Sequence, residues 1–350
     1  MAQISRYQVT EGVNKDTLFF GRIQTLAHII NREPANYLLM GGRQVGKSSV
    51  LKYITRCYQN HPKVDCHYLV LTSERLQPKL AKALGLPFKT DLETLLEELA
   101  NVPNGQYRLL LIDEADLFIR QEINNGYPIL KEFRSLSEEG RCFFIFAGFW
   151  DLYEAALLDY HSPIINFGES IIIGALEAEA CRQLATEPMV TLGIRYASDA
   201  LVEQIVEETG QRANLIAIVC DEMLKNLDKQ QRVLNQEDVT RALHSQTVQG
   251  ALVGWRRLSE DKQAARLDRI IVCATVEAGE FSLSDIMQVL DEHHYDYTTE
   301  QLTQSLERLD LAFIIQRDKS RYRYCVPLFR ERLLEQDVTA LLKQELKSAR

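Results

Sequence analysis

The sequence predicts an α/β domain with a parallel sheet and helices on both faces, followed by a helical region and a winged-helix domain. Three observations predict this order. Short, almost continuously apolar segments alternate with helical patterns up to about residue 175, and only helical patterns follow up to about residue 246. Three helical patterns and a β-hairpin pattern come after them. We therefore expect domains at residues 1–175, 176–246 and 247–350.

Five apolar segments predict the strands of the first domain. Apolar and polar residues do not alternate in these segments, as they would in a strand with one solvent-exposed face. The sheet is therefore expected to be parallel and covered by helices on both faces. Helical spacing at residues 48–58 and 91–99 supplies two of the covering helices. The predicted strands are 36–40, 67–71, 108–112, 142–147 and 170–173.

The two later domains follow from helical spacing and from capping residues. Asn235 is a predicted helix cap with acidic residues after it, and Ser282 and Thr298 begin two further helices. Helices are predicted at 177–187, 199–208, 214–226, 236–245, 267–277, 282–290, 298–309 and 328–346. The strands of the hairpin are predicted at 313–317 and 321–326.

The composition excludes several classes of protein. A chain of 350 residues is too long for a single ordinary hydrophobic core. A content of 46% hydrophobic and 25% charged residues is typical of a soluble globular protein. No apolar run reaches the length of about 18 residues that spans a bilayer, and the N-terminus lacks the apolar stretch of a signal peptide. We therefore expect a cytoplasmic protein with no membrane segment. The seven cysteines include no CxxC pair and predict reduced thiols, without a disulfide or metal framework.

A phosphate-binding loop is predicted between the first strand and the next helix. The segment matches G-x-x-x-x-G-K-[ST] in full, which predicts ATP and Mg²⁺ as cofactors. Its glycines let backbone N–H groups face phosphates, and the helix that follows adds its positive end. Lys47 is expected to reach the β- and γ-phosphates as a catalytic cation, and the Ser48 hydroxyl to coordinate Mg²⁺. The expected nucleotide-binding residues are Gly41, Gly42, Arg43, Gln44, Val45, Gly46, Lys47, Ser48 and Ser49.

A later apolar strand ends in two acidic residues, Asp113 and Glu114. Carboxylates at such a strand end are costly to bury unless a cation offsets their charge. Asp113 is therefore expected to hold Mg²⁺ together with Ser48, and Glu114 to polarise the attacking water as a catalytic residue. Asp116 completes the letters D-E-A-D, but we interpret it as a helix N-terminal residue because no other helicase motif is present.

The order of these motifs resembles the AAA-like ATPases of the STAND class, in their archaeal-type branch. The loader ATPases of replication and transposition are similar in layout. The resemblance covers about residues 18–330 and implies a P-loop domain, a helical lid and a winged helix. The segments that carry it are LFFGR (18–22), GGRQVGKSS (41–49), LLLIDEAD (109–116), FIFAGFWDLY (144–153), NFGES (166–170) and ETGQRANLI (208–216).

The resemblance implies further site residues. Residues 20–22, and Arg22 among them, would lie near the adenine or at a neighbouring subunit, the alternative being a plain helix entry. The strand that ends at Gly148 would carry a polar sensor residue in the family. Phe149 and Trp150 stand there instead, and Trp150 is expected to pack in the core.

Three arginines are candidates for a cation near the phosphates. The lid segment Thr209-Gly-Gln-Arg-Ala213 lacks the proline that family members often show, and Arg212 is the candidate to replace it. Arg134 and Arg141 are candidates for an arginine that acts on the site of a neighbouring subunit. For each of the three, an ordinary solvated arginine is the favoured interpretation. Turnover without such an arginine is expected to be slow, which suits a switch.

The predicted winged helix leaves two classes of partner open. Its recognition-position helix at 298–309 is poor in cations, which disfavours the reading of base edges. The net charge of −9 also lowers the expectation of DNA binding. Protein contact or autoinhibition is our first interpretation, and DNA binding through the basic wing is the alternative. The cations of this wing are Arg317, Lys319, Arg321 and Arg323.

The sequence favours an ATP-binding, slowly ATP-hydrolysing switch that assembles with itself or with a separate effector protein. A loader ATPase that grips duplex DNA is the alternative. A third hypothesis is a degenerate ATPase that serves as a nucleotide-stabilised scaffold. Phe149 and the missing lid proline favour this hypothesis, and the intact motif residues Lys47, Ser48, Asp113 and Glu114 count against it.

Overall fold

A computed structural model describes residues 7–9, 12–71, 75–228 and 230–347 of the chain. The chain divides into two compact units. The first comprises the described residues of 10–41 and 46–173, and the second those of 1–9, 42–45 and 174–350. The three-domain division stays a prediction.

The first unit is built on a five-stranded parallel sheet with the strand order β2-β3-β4-β1-β5. Its strands are β1 Tyr37–Met40, β2 Val64–Val70, β3 Tyr107–Asp113, β4 Cys142–Gly148 and β5 Glu169–Ile172. Its helices are α1 Ile23–Ile30, α2 Lys47–Tyr58, α3 Leu76–Ala83, α4 Leu92–Ala100, α5 Asp116–Asn125, α6 Pro128–Glu138 and α7 Trp150–Tyr153, with a 3-10 turn at Asp16–Leu18 and a π turn at Glu154–Leu158.

Helices cover both faces of this sheet, as its apolar strands predict. Phe133 of α6 stacks on Phe144 of β4 with ring centroids 4.3 Å apart. Phe143 points to the opposite face, since side chains alternate along a strand, and its ring contacts that of Tyr107. Helix α2 packs on the same face, and its Tyr58 lies near Tyr107. Because the strands are parallel, their carboxyl ends lie at the same side of the sheet. The loop after β1 and the carboxylate at the end of β3 are both on that side.

The second unit is helical and closes on a small antiparallel sheet of order β8-β10-β9, which has the arrangement of a winged helix. Its helices are α8 Ala178–Thr191, α9 Asp199–Glu208, α10 Ala213–Lys225, α11 Gln236–Leu243, α12 Gln246–Leu252, α13 Lys262–Thr275, α14 Leu283–Glu292, α15 Thr299–Leu311, α16 Pro327–Leu334 and α17 Val338–Lys347, with a 3-10 turn at Val253–Arg257. Its strands are β6 Arg195–Tyr196, β7 Val233–Leu234, β8 Glu280–Ser282, β9 Ile315–Asp318 and β10 Arg321–Tyr324.

Three predictions for the second unit were wrong in detail. The single helix predicted at 328–346 is two helices, because Asp337 caps a new helix by accepting from the Ala340 amide at 2.9 Å. The region predicted to be entirely helical contains the parallel pair β6 and β7. The wing has β8 as a third strand. Strands of two or three residues are too short to give a periodic signal.

None of the helices in the described part of the chain combines the length and the apolar character needed to cross a membrane.

Candidate active site

The loop between β1 and α2 ends on a backbone conformation that requires glycine. Gly46 has a φ of 106°, which L side chains rarely adopt, and α2 begins at the next residue, Lys47. Gly46 is the N-cap and offers no side-chain acceptor to the helix. The first amides of α2 are therefore free of a side-chain cap, and a helix end of this kind attracts anions.

Lys47 lies across the loop that it follows. Its Nζ donates a hydrogen bond of 2.7 Å to the carbonyl oxygen of Gly41. An ammonium group on a flexible stem can exchange a neutral carbonyl for a charged phosphate oxygen, which binds it more strongly. The side chain is thus held above the loop, where the sequence places the phosphates.

The tip of the loop, residues 42–45, belongs to the second unit. Backbone and one arginine of that unit enclose it. A Cβ on Gly42 would lie 2.7 Å from the carbonyl oxygen of Ala312, so only glycine fits there. The Arg212 guanidinium donates to the carbonyl oxygen of Arg43 at 2.9 Å. Val45 is buried and Gln44 has a φ of 64°. Arg212 therefore meets the loop backbone, which the sequence left undecided.

Asp113 ends β3 as a buried carboxylate, 2% exposed, with neutral partners. Its Oδ2 accepts from the Tyr68 hydroxyl at 2.7 Å, and its Oδ1 accepts from the Glu114 backbone amide at 3.0 Å. Glu114 has a φ of 55°, an uncommon conformation for this residue type, and its side chain is exposed. Among the described residues Asp113 has no Lys, Arg or His within ion-pair distance.

Asp116 is the first residue of α5, as the sequence predicts, and it has a second structural task. Its carboxylate accepts from the amides of Phe149, at 2.7 and 2.9 Å, and of Leu152, at 3.3 Å. Burial raises the pKa of Asp116, and the Phe149 amide and the charge of Lys47 partly offset that rise. Asp116 thus fixes the turn after β4, where Phe149 and Trp150 stand. Trp150 is buried and stacks on Tyr153, as expected.

The remaining residues predicted to bind nucleotide lie on two sides of the loop. Ser48 and Ser49 lie in the first turn of α2, and the Ser49 hydroxyl accepts from the Val13 amide at 3.1 Å. A Cβ on Gly12 would lie 3.0 Å from the Cβ of Ser48, so the N-terminal segment packs directly on this turn. Arg22 is buried, with a φ of 59°, at the start of α1.

The two candidate trans-acting arginines differ in their contacts. Arg134 is held by its own unit, because it donates to Glu138 at 3.0 Å and to the Pro163 carbonyl at 3.0 Å. The side chain of Arg141 has neither a hydrogen bond nor an ion pair with any described residue. It directly precedes β4 and so lies at the amino ends of the strands, whereas the P-loop lies at their carboxyl ends. Arg141 is therefore too far from the P-loop of its own chain to act there.

The donors at this edge suit a magnesium ion. Mg²⁺ prefers oxygen ligands and is commonly held by one or two protein groups plus the phosphates of a nucleotide. Asp113 offers a buried carboxylate without a cation, and Ser48 offers a hydroxyl. No cluster of three or more His, Cys, Asp or Glu suited to a metal occurs in the described ranges. The phosphates would have to complete the site.

Comparison with known proteins agrees with this geometry. Residues 30–155 match the model of the AAA domain. Residues 30–155 are thus a P-loop ATPase domain of the AAA type. The Walker-type ATPase PABY2304 of Pyrococcus abyssi shares the fold of the ATPase at a TM-score of 0.69 and 17% identity, with 93% of this chain and 99% of that chain covered.

Two further solved structures resemble the ATPase at lower similarity. Cdc6p from Pyrobaculum aerophilum has a TM-score of 0.45 and 16% identity, covering 99% of the ATPase and 98% of its own chain. The Aeropyrum pernix Orc1 protein in complex with DNA has a TM-score of 0.47 and 15% identity, covering 96% of the ATPase and 95% of its own chain. At these TM-scores neither likeness supports a functional argument. No curated protein gives a significant match.

Sequence reasoning missed two residues of this site. Tyr68 lies inside an apolar strand, where a tyrosine normally indicates packing. Val13 contributes only its backbone amide, which no side-chain pattern can indicate. Spacing also gave no sign that Asp116 would reach the amide of Phe149.

Proposed function

We propose that this ATPase is a slow molecular switch of the STAND class, which assembles with itself or with a partner protein while ATP and Mg²⁺ are bound. Hydrolysis, or release of ADP, returns it to the unassembled state. Ligands shift such an equilibrium only through different contacts with the two states. The switch therefore requires a part of the molecule that contacts the nucleotide site and has a role in assembly.

The observation that carries the proposal is the position of the P-loop tip within the second unit. Arg43 accepts from Arg212, and Gly42 lies against Ala312, just after α15. A nucleotide that binds to the loop amides changes the surroundings of these contacts. Its binding free energy can thus favour one arrangement of the helical and winged regions over another. This supports a switch over an enzyme that works with a fixed structure.

The residues of the first unit have separate roles in the proposed cycle. Lys47 leaves the Gly41 carbonyl to bind the β- and γ-phosphates, and Ser48 and Asp113 hold Mg²⁺. The ion, when bound, offsets the charge of the phosphates. Glu114, whose side chain is exposed at the strand end, orients and polarises the attacking water.

Arg141 is our candidate for an arginine supplied to a neighbouring subunit, because its side chain has no partner among the residues that the structure describes. Arg141→Ala is expected to slow hydrolysis by about 10³-fold in the assembled state and to leave the unassembled basal rate unchanged. Arg134→Ala is the matched control, since its guanidinium is engaged by Glu138 and Pro163. Equal rates for Arg141→Ala and the wild type in the assembled state would rule this arginine out.

Size-exclusion chromatography with light scattering tests the switch. We expect ATP with Mg²⁺ to increase the mass of the particle, ADP to leave it unchanged, and Lys47→Ala to remove the response. Glu114→Gln should retain ATP and stay assembled, because it binds the nucleotide without activating water. A constant mass for the wild type under all conditions, with ATP bound, would exclude self-assembly. Titration with candidate partner proteins would then decide between a switch and a scaffold.

A DNA-associated loader is the second candidate, favoured by the exposed cations of the wing. Arg321 is paired with Glu280 at 2.6 Å, and the Arg317 side chain donates to the Lys319 carbonyl. The only arginine of α15, Arg308, is buried, so the recognition position offers no exposed cation. The DNA hypothesis therefore predicts binding to phosphates with little preference for sequence.

The loader hypothesis has its own test in the salt dependence of duplex binding. Removal of one cation that neutralises a phosphate reduces the slope of log K against log salt by about 0.9. Arg317→Ala with Arg323→Ala should therefore reduce the slope by about 2 if the wing binds duplex DNA. Glu300→Gln, on the exposed face of α15, is the control and should leave the slope unchanged. No duplex binding at low salt would remove the loader from consideration.

A further inference from the structure

We propose that Tyr68 is a positioning residue for the magnesium ligand Asp113. Its hydroxyl donates a 2.7 Å hydrogen bond to Asp113 Oδ2, across two strands and 45 positions of sequence. The inference rests on the proposed role of Asp113 in holding Mg²⁺. It goes beyond that role because no nucleotide-binding motif includes Tyr68.

The register of the sheet explains how this tyrosine reaches the carboxylate. In the parallel pair of β2 and β3, Tyr68 lies opposite Leu111, and Val70 lies opposite Asp113. Tyr68 and Val70 share one face, as do Leu111 and Asp113, because side chains alternate along each strand. Tyr68 and Asp113 are therefore diagonal neighbours on one face, and the long tyrosine side chain spans the diagonal to reach the carboxylate at 2.7 Å.

The Asp113 carboxylate is fixed at both oxygens by neutral donors. Oδ2 accepts from the Tyr68 hydroxyl, and Oδ1 accepts from the Glu114 amide at 3.0 Å. An ionised carboxylate has about four lone-pair sites, so about two stay available for a cation or its water ligands. The two hydrogen bonds together restrict the rotation of the group before any ion arrives.

A neutral donor is the suitable partner for this task. A lysine or arginine at the same place would cancel the charge that attracts the ion, whereas a hydroxyl orients the carboxylate and leaves its charge intact. Groups that orient metal ligands in this way commonly contribute 10–100-fold to metal affinity. Tyr68 therefore acts through Asp113 on the ion and does not act directly on the nucleotide.

Tyr68→Phe removes the hydroxyl and keeps the ring. At saturating ADP, we expect the Mn²⁺ concentration for half-saturation, measured by electron paramagnetic resonance, to rise by about tenfold. Binding of a fluorescent ADP analogue in EDTA should be unchanged. Tyr58→Phe is the matched control, because it removes the hydroxyl of a half-buried tyrosine of α2 on the same face of the sheet. It should change neither quantity.

A double-mutant cycle separates positioning from a general loosening of the fold. In an Asp113→Asn background, Tyr68→Phe should not weaken Mn²⁺ binding further, because the residue through which it acts has already changed. Unchanged Mn²⁺ affinity in Tyr68→Phe, or an equal loss of ADP affinity in EDTA, would overturn the proposal. If the wild type binds no nucleotide at all, the P-loop assignment fails instead, and the two failures are thus distinguishable.

Discussion

Two buried aspartates, one in each unit, have opposite surroundings. Asp113 is 2% exposed and accepts from two neutral donors, the Tyr68 hydroxyl and the Glu114 amide. Asp268 is fully buried and accepts two hydrogen bonds, of 2.7 and 2.8 Å, from the Arg308 guanidinium. Burial of a charge costs free energy in both places, but only the second unit supplies the opposite charge itself. The contrast separates a structural ion pair from a carboxylate that has only neutral hydrogen-bond donors around it among the described residues.

The same contrast limits what the winged helix can do. Arg308 is the only cationic residue of α15, and it forms the buried ion pair with Asp268. The exposed face of the helix carries Glu300, Gln301 and Thr303. A helix that reads base edges normally presents arginine, lysine or amides there, and of the three residues on this face only Gln301 has such a group, which already accepts from the Thr298 amide at 2.9 Å. The arginine that would suit DNA thus stabilises the fold instead.

The largest expected effect is on the stability of the second unit. Asp268→Asn removes the carboxylate charge that accepts two hydrogen bonds from the buried Arg308 guanidinium, and it should lower the free energy of unfolding by about 3–5 kcal/mol. The chain has one tryptophan in each unit, so urea unfolding in a Trp150→Phe background follows Trp255 and the second unit alone.

Asp113→Asn is the matched control for that measurement, with Trp255→Phe isolating the first unit. This substitution leaves no buried positive charge without its partner. The free energy of unfolding of the ligand-free first unit should therefore stay within about 1 kcal/mol of the wild-type value. A loss from Asp113→Asn as large as that from Asp268→Asn would contradict the division into a structural and a functional aspartate.

The second expected effect is on stabilisation by ligand. ATP with Mg²⁺ at about 100 times its dissociation constant should stabilise the wild type by about 2.7 kcal/mol. In Asp113→Asn the part of this gain that depends on Mg²⁺ should disappear, so that thermal unfolding is equal with Mg²⁺ and with EDTA. The comparison would fail if Mg²⁺ raised the melting temperature of Asp113→Asn, in the presence of ATP, as much as that of the wild type.

The sequence singles out Asp113 but gives no sign of the ion pair that Asp268 forms, for a physical reason. Asp113 ends an apolar strand and follows a P-loop, and both signals are local in sequence. The five strands were likewise placed to within three residues, because each is a short apolar run. Asp268 and Arg308 lie on different helices, and their pairing depends on how those helices pack. Spacing within one helix carries no information about a partner on another.

The same limit applies to Tyr68. Its bond to Asp113 depends on the register of β2 against β3, and a shift of one residue would turn the ring to the other face of the sheet. Nothing in the local pattern of β2 fixes that register. Sequence therefore predicts the candidate ligands of the site, and structure is needed to find the groups that contact them.

A third carboxylate lies between the two extremes. Asp310, near the end of α15, is half-buried, and the Arg317 side chain acts on it through charge without a hydrogen bond. Burial raises the pKa of Asp310 from 3.8 to about 6; the positive charge of Arg317 lowers this value, and the negative charge of Glu307 raises it. The group is thus only partly compensated by its own unit.

The smallest expected effect follows from this raised pKa. The folded state holds the Asp310 proton more tightly than the unfolded state, so ionisation costs stability as pH rises from about 4 to about 6. Asp310→Asn removes that cost and should stabilise the second unit by about 1 kcal/mol at pH 7.5, because solvent screens a half-buried charge. The advantage should shrink towards zero at pH 4, where wild-type Asp310 is largely protonated. Urea unfolding of Trp150→Phe proteins at both pH values measures it, with Glu300→Gln as the exposed control. An advantage for Asp310→Asn that is independent of pH would show that packing, and not the partly compensated charge, distinguishes this position.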